Sequence, residues 1–238
     1  MPELLFTGER YVPGRTNRRI ASDHVARYSF ALSFVKNQRV LDIACGTGFG
    51  SSMCAQGGAV SVDGVDLSVE AVKFAARSYQ HPKLRFVVGD IATYASHLPY
   101  DLIICYETIE HLVDYDSALL NLRSLLTPGG TLLISSPNRQ ITSPNSRSFR
   151  DRPKNPFHVH EFTLQELQSI LWAHGFEVPP AGIYGQRQQW TIQSTVLRRA
   201  YERLFASKWT TSAQVTPVVN KTPRYFVLAA TKYDETPV

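Results

Sequence analysis

The chain has 238 residues, 43% hydrophobic and 19% charged, the range of a globular chain able to build a full core, and it holds no apolar run near the roughly 20 residues that a membrane-spanning helix needs. Its formal net charge of +5 comes from scattered basic residues, Arg18-Arg19, Arg147 to Lys154 and Arg198-Arg199, so an anionic partner is permitted but nothing favours nucleic acid. The opening Met1-Pro2-Glu3 has no secretory pattern, and Cys45, Cys54 and Cys105, in apolar surroundings and without CxxC spacing, are expected as buried thiols in a reducing cytoplasm.

Residues 1–20, rich in Arg, Gly and Pro, read as an irregular arm. Ser22 is the expected N-cap of a helix whose apolar stripe, Ala26, Phe30, Ala31 and Phe34, runs to Val35. The rhythm then alternates: a strand over 39–44, a glycine turn and helix over 46–56, a strand over 59–66, and a helix over 68–79 with Ser68 as cap and Glu70 in its first turn. Strands follow over 84–90 and 100–106, then a helix through Leu126, a turn at Pro128-Gly129-Gly130 and a strand over 131–136. These short apolar runs show little alternation, as strands buried on both faces do, and strands alternating with helices predict a parallel sheet covered on both sides. Residues 139–157 read as a long loop. Thr163 and Glu166 form an expected capping box for a helix ended by Gly175. A proline-broken strand follows over 176–184, then a helical stretch from about Trp190 to Phe205, a polar connector, and a last strand over 224–232.

The segment Val40-Leu-Asp-Ile-Ala-Cys-Gly-Thr-Gly-Phe-Gly50 joins the first strand to the helix after it. Gly46 and Gly48 let the backbone turn tightly and approach a ligand with no Cβ between, and ligands bind at the carboxyl ends of such strands. Asp66 ends the second strand, about twenty residues on, where a carboxylate can accept both hydroxyls of a ribose. Asp90 ends the third strand and Tyr106 the fourth. A dinucleotide fingerprint would need glycine where Ser51 stands.

These segments resemble the class I S-adenosylmethionine-dependent methyltransferases: DIACGTG their first motif, GVDLS their ribose-binding acidic turn, VGDIAT their adenine-contacting motif, and LTPGGTLLISSPN the entry to their fifth strand. The resemblance implies a Rossmann-like α/β fold, a seven-stranded, mostly parallel sheet with helices on both faces and an antiparallel last strand. It also implies a single methyltransferase domain over 1–238: an arm and helix over 1–36, a donor-binding core over 37–184, an acceptor-side insertion over 185–222 and a terminal strand over 223–233. For S-adenosylmethionine it implies Asp42 orienting the methionine end, Ala44, Gly46 and Gly48 in the loop, Asp66 on the ribose, Leu67 against the adenine, Asp90 and the Ile91 backbone at the adenine edge, and Tyr106 near the sulfonium. Ala44 stands where many members have glycine.

Residues 106–112, Tyr-Glu-Thr-Ile-Glu-His-Leu, put Glu107, Glu110 and His111 at i, i+3 and i+4, one face of a helix. A hydroxyl acceptor needs a base or a cation to lower its pKa. One reading makes His111 a general base oriented by the Glu110 carboxylate. The other makes Glu107, Glu110 and His111 ligands of a divalent ion, Mg²⁺, Mn²⁺ or Zn²⁺. The bland reading is acidic residues meeting a helix dipole. The segment resembles the ubiquinone-pathway O-methyltransferases and the small-RNA 3′-terminal 2′-O-methyltransferases, which carry Glu-x-x-Glu-His there and a later histidine. His158, in His-Val-His-Glu-Phe-Thr, is the matching ligand, with His160 the near alternative.

For the acceptor, Tyr106-Glu107 stands where amino-methylating enzymes acting on bases carry Asn/Asp-Pro-Pro-aromatic. The arm and the stretch before Thr163 look similar to bacterial enzymes that tailor sugars, glycans or natural products. His24, Tyr11 and Tyr28 are candidates to close over the donor or to pack on the sheet edge, and Gln186 to Trp190 are candidates to face the acceptor. The expected function is O-methylation of a small molecule or sugar in biosynthesis. Methylation of an RNA terminal ribose, or a non-catalytic donor-binding partner subunit, are the alternatives. The sequence does not give the oligomeric state.

Overall fold

The computed structural model describes residues 11–12, 14–190 (of Trp190 the backbone alone) and 212–233. In chain order its elements are α1 (Arg18–Val35), β1 (Arg39–Ile43), α2 (Phe49–Gln56), β2 (Ser61–Asp66), α3 (Val69–Ser78), β3 (Leu84–Val88), β4 (Tyr100–Cys105), α4 (Tyr115–Leu125), β5 (Leu126–Pro137), α5 (Arg139–Thr142), α6 (Leu164–Ala173), β6 (Phe176–Glu177), β7 (Ile183–Trp190), β8 (Thr216–Pro217) and β9 (Lys221–Lys232). Their order across the sheet is β3-β2-β1-β4-β5-β9-β7-β8, with β6 pairing β9. β3, β2, β1, β4 and β5 pair in parallel, and β9 lies antiparallel between β5 and β7. The expected seven strands are therefore present, with the two-residue strands β6 and β8 added.

The central strands alternate between two cores, as a period of two requires. Leu41, Ile43, Ile103 and Cys105 face one cluster, closed by Leu119 and Leu122 of α4 and Leu167 and Leu171 of α6. Val40, Leu102 and Ile104 face the other, closed by Tyr28, Ala31 and Val35 of α1 and Cys54 and Ala55 of α2. Both faces are thus apolar, which is why these strands lack a polar side in the sequence. All three cysteines are free and buried. No described helix is long and apolar enough to cross a membrane.

Local chemistry sets most of the boundaries. Ser68 caps α3 by accepting from the Ala71 amide, and Thr163 and Glu166 form the expected capping box on α6. Three expectations are corrected. α1 starts four residues before Ser22, because Asn17 accepts from the Arg19 amide and caps first, while Ser22 donates back to the Arg19 carbonyl. Pro128-Gly129-Gly130 is an irregularity within β5 rather than a turn before it: Tyr100 pairs with Leu126 but Leu102 with Thr131, so residues 127–130 bulge out, with Gly129 at φ +68°. The expected boundary at 184/185 falls inside β7, which runs to Trp190; the helix expected beyond it lies outside the described residues.

β7 also takes the polar residues expected to face the acceptor and turns two of them onto α1. Arg27 donates to the Gln186 side-chain oxygen at 2.6 Å, Gln186 donates to the Asp23 carbonyl at 2.8 Å, and Arg187 pairs with the Asp23 carboxylate at 2.7 Å. These buried contacts hold the N-terminal helix over the sheet edge where the chemistry-bearing loops gather.

Candidate active site

The carboxyl ends of β1, β2 and β4 open on a cavity of about 390 Å³, within the size range of small-molecule sites. One wall is the loop Ala44 to Thr47 with Asp66; another is Tyr106, Glu107, Thr108 and His111; the rest is Tyr11, His24, Tyr28, Phe49 and Phe157. Tyr11 and Tyr28 both meet the Phe49 ring edge-on, and Tyr28 meets Tyr106 in the same way, so aromatic rings form a continuous side of the cavity.

The first loop is held in a left-handed backbone by Ala44 (φ +58°) and Gly46 (φ +56°). The Gly46 amide donates to Asp66 at 2.8 Å, and the Ser68 amide donates to the other Asp66 oxygen at 2.9 Å. Two backbone donors thus fix this carboxylate on the cavity wall. Asp42 sits behind the loop, fully buried, accepting from the Tyr28 hydroxyl at 2.8 Å and from the Ser51 hydroxyl. Burial lifts its carboxyl to about 6, although both hydrogen bonds oppose the rise.

Other expected donor contacts lie off the cavity. Gly48 does not line it: φ is +79°, and a Cβ there would stand 2.6 Å from Ala75 Cβ and from the Phe86 ring, so this glycine serves packing between the loop, α3 and β3. Leu67 is 69% exposed. The Asp90 carboxylate closes a local turn by accepting from the Ala92 amide, with Ile91 beside it. Tyr106 does line the cavity; burial pushes its hydroxyl well above the usual phenol range, and that hydroxyl has no hydrogen-bond partner.

Residues 106–111 are not one helix. Only Ile109–His111 form a single 3₁₀ turn, and Glu107 precedes it at φ +48°. The Glu107 amide donates to Ser135 Oγ at 2.9 Å, and that hydroxyl donates back to the Glu107 carboxylate at 2.7 Å. The left-handed backbone and this clasp turn Glu107 toward Arg27, 3.8 Å away. The spacing i, i+3, i+4 fails as a common face because the helix it assumes never forms.

Glu110, His111 and His158 do converge: a ligand-capable atom of each lies within 4.8 Å of the others. Glu107 is not in that group, and neither is His160, whose ring bonds the Phe149 carbonyl. Glu110 is 1% exposed and its Oε2 has no partner; burial, then the nearby Glu107 charge, push its carboxyl well above the usual range. His111 Nδ1 faces the Phe157 carbonyl at 3.0 Å. A carbonyl only accepts, so Nδ1 carries the hydrogen and the lone pair is on Nε2. The Glu110 carbonyl accepts from the Val159 and His160 amides, which docks the segment carrying His158 onto the one carrying His111.

Sequence reasoning gave no role to Ser51, Ser135, Arg27, Phe49 or Phe157. Their partners are 9 to 28 residues away or farther, and no local spacing marks them.

A family profile described as a methyltransferase domain matches residues 14–180. A probable S-adenosylmethionine-dependent methyltransferase of Mycolicibacterium smegmatis is 33% identical over 181 residues, 74% of this chain and 66% of that protein, so the chain spans just under two thirds of that relative's length. A ubiquinone biosynthesis O-methyltransferase of Albidiferax ferrireducens is 34% identical over 114 residues, 46% of this chain and 45% of that one. In structure, the magnesium protoporphyrin IX methyltransferase of Synechocystis superimposes with a TM-score of 0.59 at 19% identity, over 93% of this chain and 90% of that one, which is a likeness of fold. With sheet order, strand-end loops and a profile spanning most of its length in agreement, the chain belongs to the class I S-adenosylmethionine-dependent methyltransferases.

Proposed function

We propose that the protein transfers a methyl group from S-adenosylmethionine to a hydroxyl oxygen of a small molecule or sugar. The residues present fit the donor: Asp66 is fixed by two amides with its carboxylate on the cavity wall, and the Tyr106 hydroxyl is buried there without a partner. Bound there, the donor supplies an electrophilic methyl group on a cationic sulfonium. The aromatic side formed by Tyr28, Phe49 and Tyr106 suits a cation.

The observation that carries the oxygen reading is the Glu110–His111–His158 cluster, of which His111 lines the cavity. Amines and thiols need modest activation, whereas a hydroxyl needs its proton taken. His111 lines the cavity with its Nε2 lone pair available in that tautomer, so it accepts the acceptor's proton; the Phe157 carbonyl holds the ring and stabilises the imidazolium that forms. A second reading of the same cluster makes His111 Nε2 a ligand instead of the base: the buried Glu110 carboxyl, with one unpartnered oxygen, and the two histidines each bring a ligand-capable atom within 4.8 Å of the others, which fits a divalent cation. Such an ion would polarise the acceptor oxygen and lower its pKa. With Glu107 outside the group, one carboxylate and two imidazoles suit Zn²⁺ or Mn²⁺ better than Mg²⁺. The O-methyltransferase among the relatives supports the same acceptor atom.

The test is binding of S-adenosylhomocysteine by calorimetry, then methylation of a panel of phenols, sugars, amines and thiols, read as S-adenosylhomocysteine released. Binding with turnover confined to hydroxyl acceptors, and lost in His111→Ala while product binding persists, is expected. Turnover on amines or thiols alone would overturn the oxygen reading. Absence of product binding would overturn the donor.

A further inference from the structure

His158 lies between two partners that dictate its protonation. Its Nδ1 is 2.7 Å from the Glu161 carboxylate, and its Nε2 is 2.8 Å from the Asn155 amide nitrogen. The orientation of that amide is fixed in turn, because Asn155 Oδ1 accepts from the Phe157 amide at 3.1 Å. An amide nitrogen only donates, so Nε2 must accept. A neutral imidazole has one acceptor nitrogen and one N–H, and the acceptor is here Nε2. Nδ1 therefore carries the hydrogen.

We propose that Glu161 is a positioning residue that fixes His158 as the Nδ1–H tautomer and so presents its Nε2 lone pair as a ligand. The inference rests on the reading of Glu110, His111 and His158 as a cation site. Glu161 is 1% exposed and its second oxygen accepts from Thr142 Oγ1. A buried carboxylate on an irregular segment is costly, and α5 and the histidine are what it holds. Histidine ligands of metals ordinarily donate their other ring nitrogen to such a carboxylate or to a carbonyl, which fixes the ring and raises its basicity. His158 has the carboxylate form of this support and His111, through Phe157, the carbonyl form. The Asn155 amide holds the lone pair that a cation would take. The motif His158-Val-His-Glu161 carries both members within one turn of sequence.

The experiment combines two readouts on purified, metal-free protein: imidazole ¹⁵N NMR for the tautomer of His158, and Zn²⁺ affinity by competition with a chelator. The variants are Glu161→Gln, His158→Ala and Thr142→Val. The last removes the Thr142 hydrogen bond to the same carboxylate and controls for loosening of the segment. Expected are an Nδ1–H tautomer in the wild type, a smaller share of it in Glu161→Gln, where the Asn155 donor alone still favours it, and about 10–100-fold weaker Zn²⁺ binding there, with Thr142→Val close to the wild type in both. Unchanged tautomer and Zn²⁺ affinity in Glu161→Gln, over a site that His158→Ala abolishes, would overturn this proposal alone. Equal weakening by Thr142→Val would also overturn it, since the effect would then be structural. If the wild type binds no Zn²⁺, or His158→Ala binds it unchanged, the cation reading fails and this proposal with it.

Discussion

The Tyr28 hydroxyl of α1 donates to the Asp42 carboxylate of β1 at 2.8 Å, joining the N-terminal helix to the strand that feeds the donor loop. Asp42 is fully buried, and burial raises its carboxyl from the ordinary 3.8 to about 6. Between those two values the folded chain binds the proton more tightly than the unfolded chain. The contribution of Asp42 to stability is therefore fully present below about 4, falls as pH rises through about 6, and is level above. The change is on the order of 3 kcal/mol. In urea unfolding across pH 4 to 7 the wild type is expected to lose stability on the order of 3 kcal/mol more than Asp42→Asn does; parallel curves would contradict it.

Asp66 holds the amides of Gly46 and Ser68 and lines the cavity. Asp66→Ala leaves both amides without this acceptor and removes the carboxylate proposed to meet the ribose. Loss of charge-assisted hydrogen bonds of about 1.5–3 kcal/mol corresponds to roughly 10–150-fold weaker S-adenosylhomocysteine binding. Calorimetry measures it; unchanged affinity would remove Asp66 from the donor site.

Gly48→Ala is expected to destabilise the fold rather than merely weaken donor binding. Its φ of +79° is unfavourable for alanine, and the new methyl group would meet Ala75 and Phe86 at 2.6 Å. Strain and overpacking together cost about 2–5 kcal/mol. The midpoint of urea unfolding reports the effect, and an unchanged midpoint would return Gly48 to the role of a ligand contact.

Glu107 and Glu110 are expected to separate in Zn²⁺ binding. Glu110→Gln removes a ligand-capable oxygen within the cluster and should abolish binding, whereas Glu107→Gln, turned toward Ser135 and Arg27, should leave it intact. Chelator competition distinguishes them, and equal loss in both would put Glu107 back among the ligands.

Much of this was legible in the chain because its causes are local. The helix at 164–173 is announced by Thr163 and Glu166, and α3 by Ser68, since a cap needs only a side chain and an amide three residues on. The central strands were legible because each face of a covered sheet needs apolar side chains. The start of α1 was misplaced because Asn17 and Ser22 are both capable caps, and it is Asn17 whose side chain accepts from the Arg19 amide.

By itself, the sequence determined the alternating order of strands and helices, the glycine turn, and the acidic residues at strand ends, because propensity, capping and burial act over a few residues. The tertiary structure alone decided which of those residues share a site. It withdrew Gly48 into the packing, moved Glu107 out of line with Glu110 and His111 through one left-handed residue and the Ser135 clasp, and brought His158 to them by docking residues 159 and 160 on the Glu110 carbonyl. Such contacts join atoms up to about fifty residues apart, and their cost and gain are settled by the packing of the whole sheet, which no local spacing records.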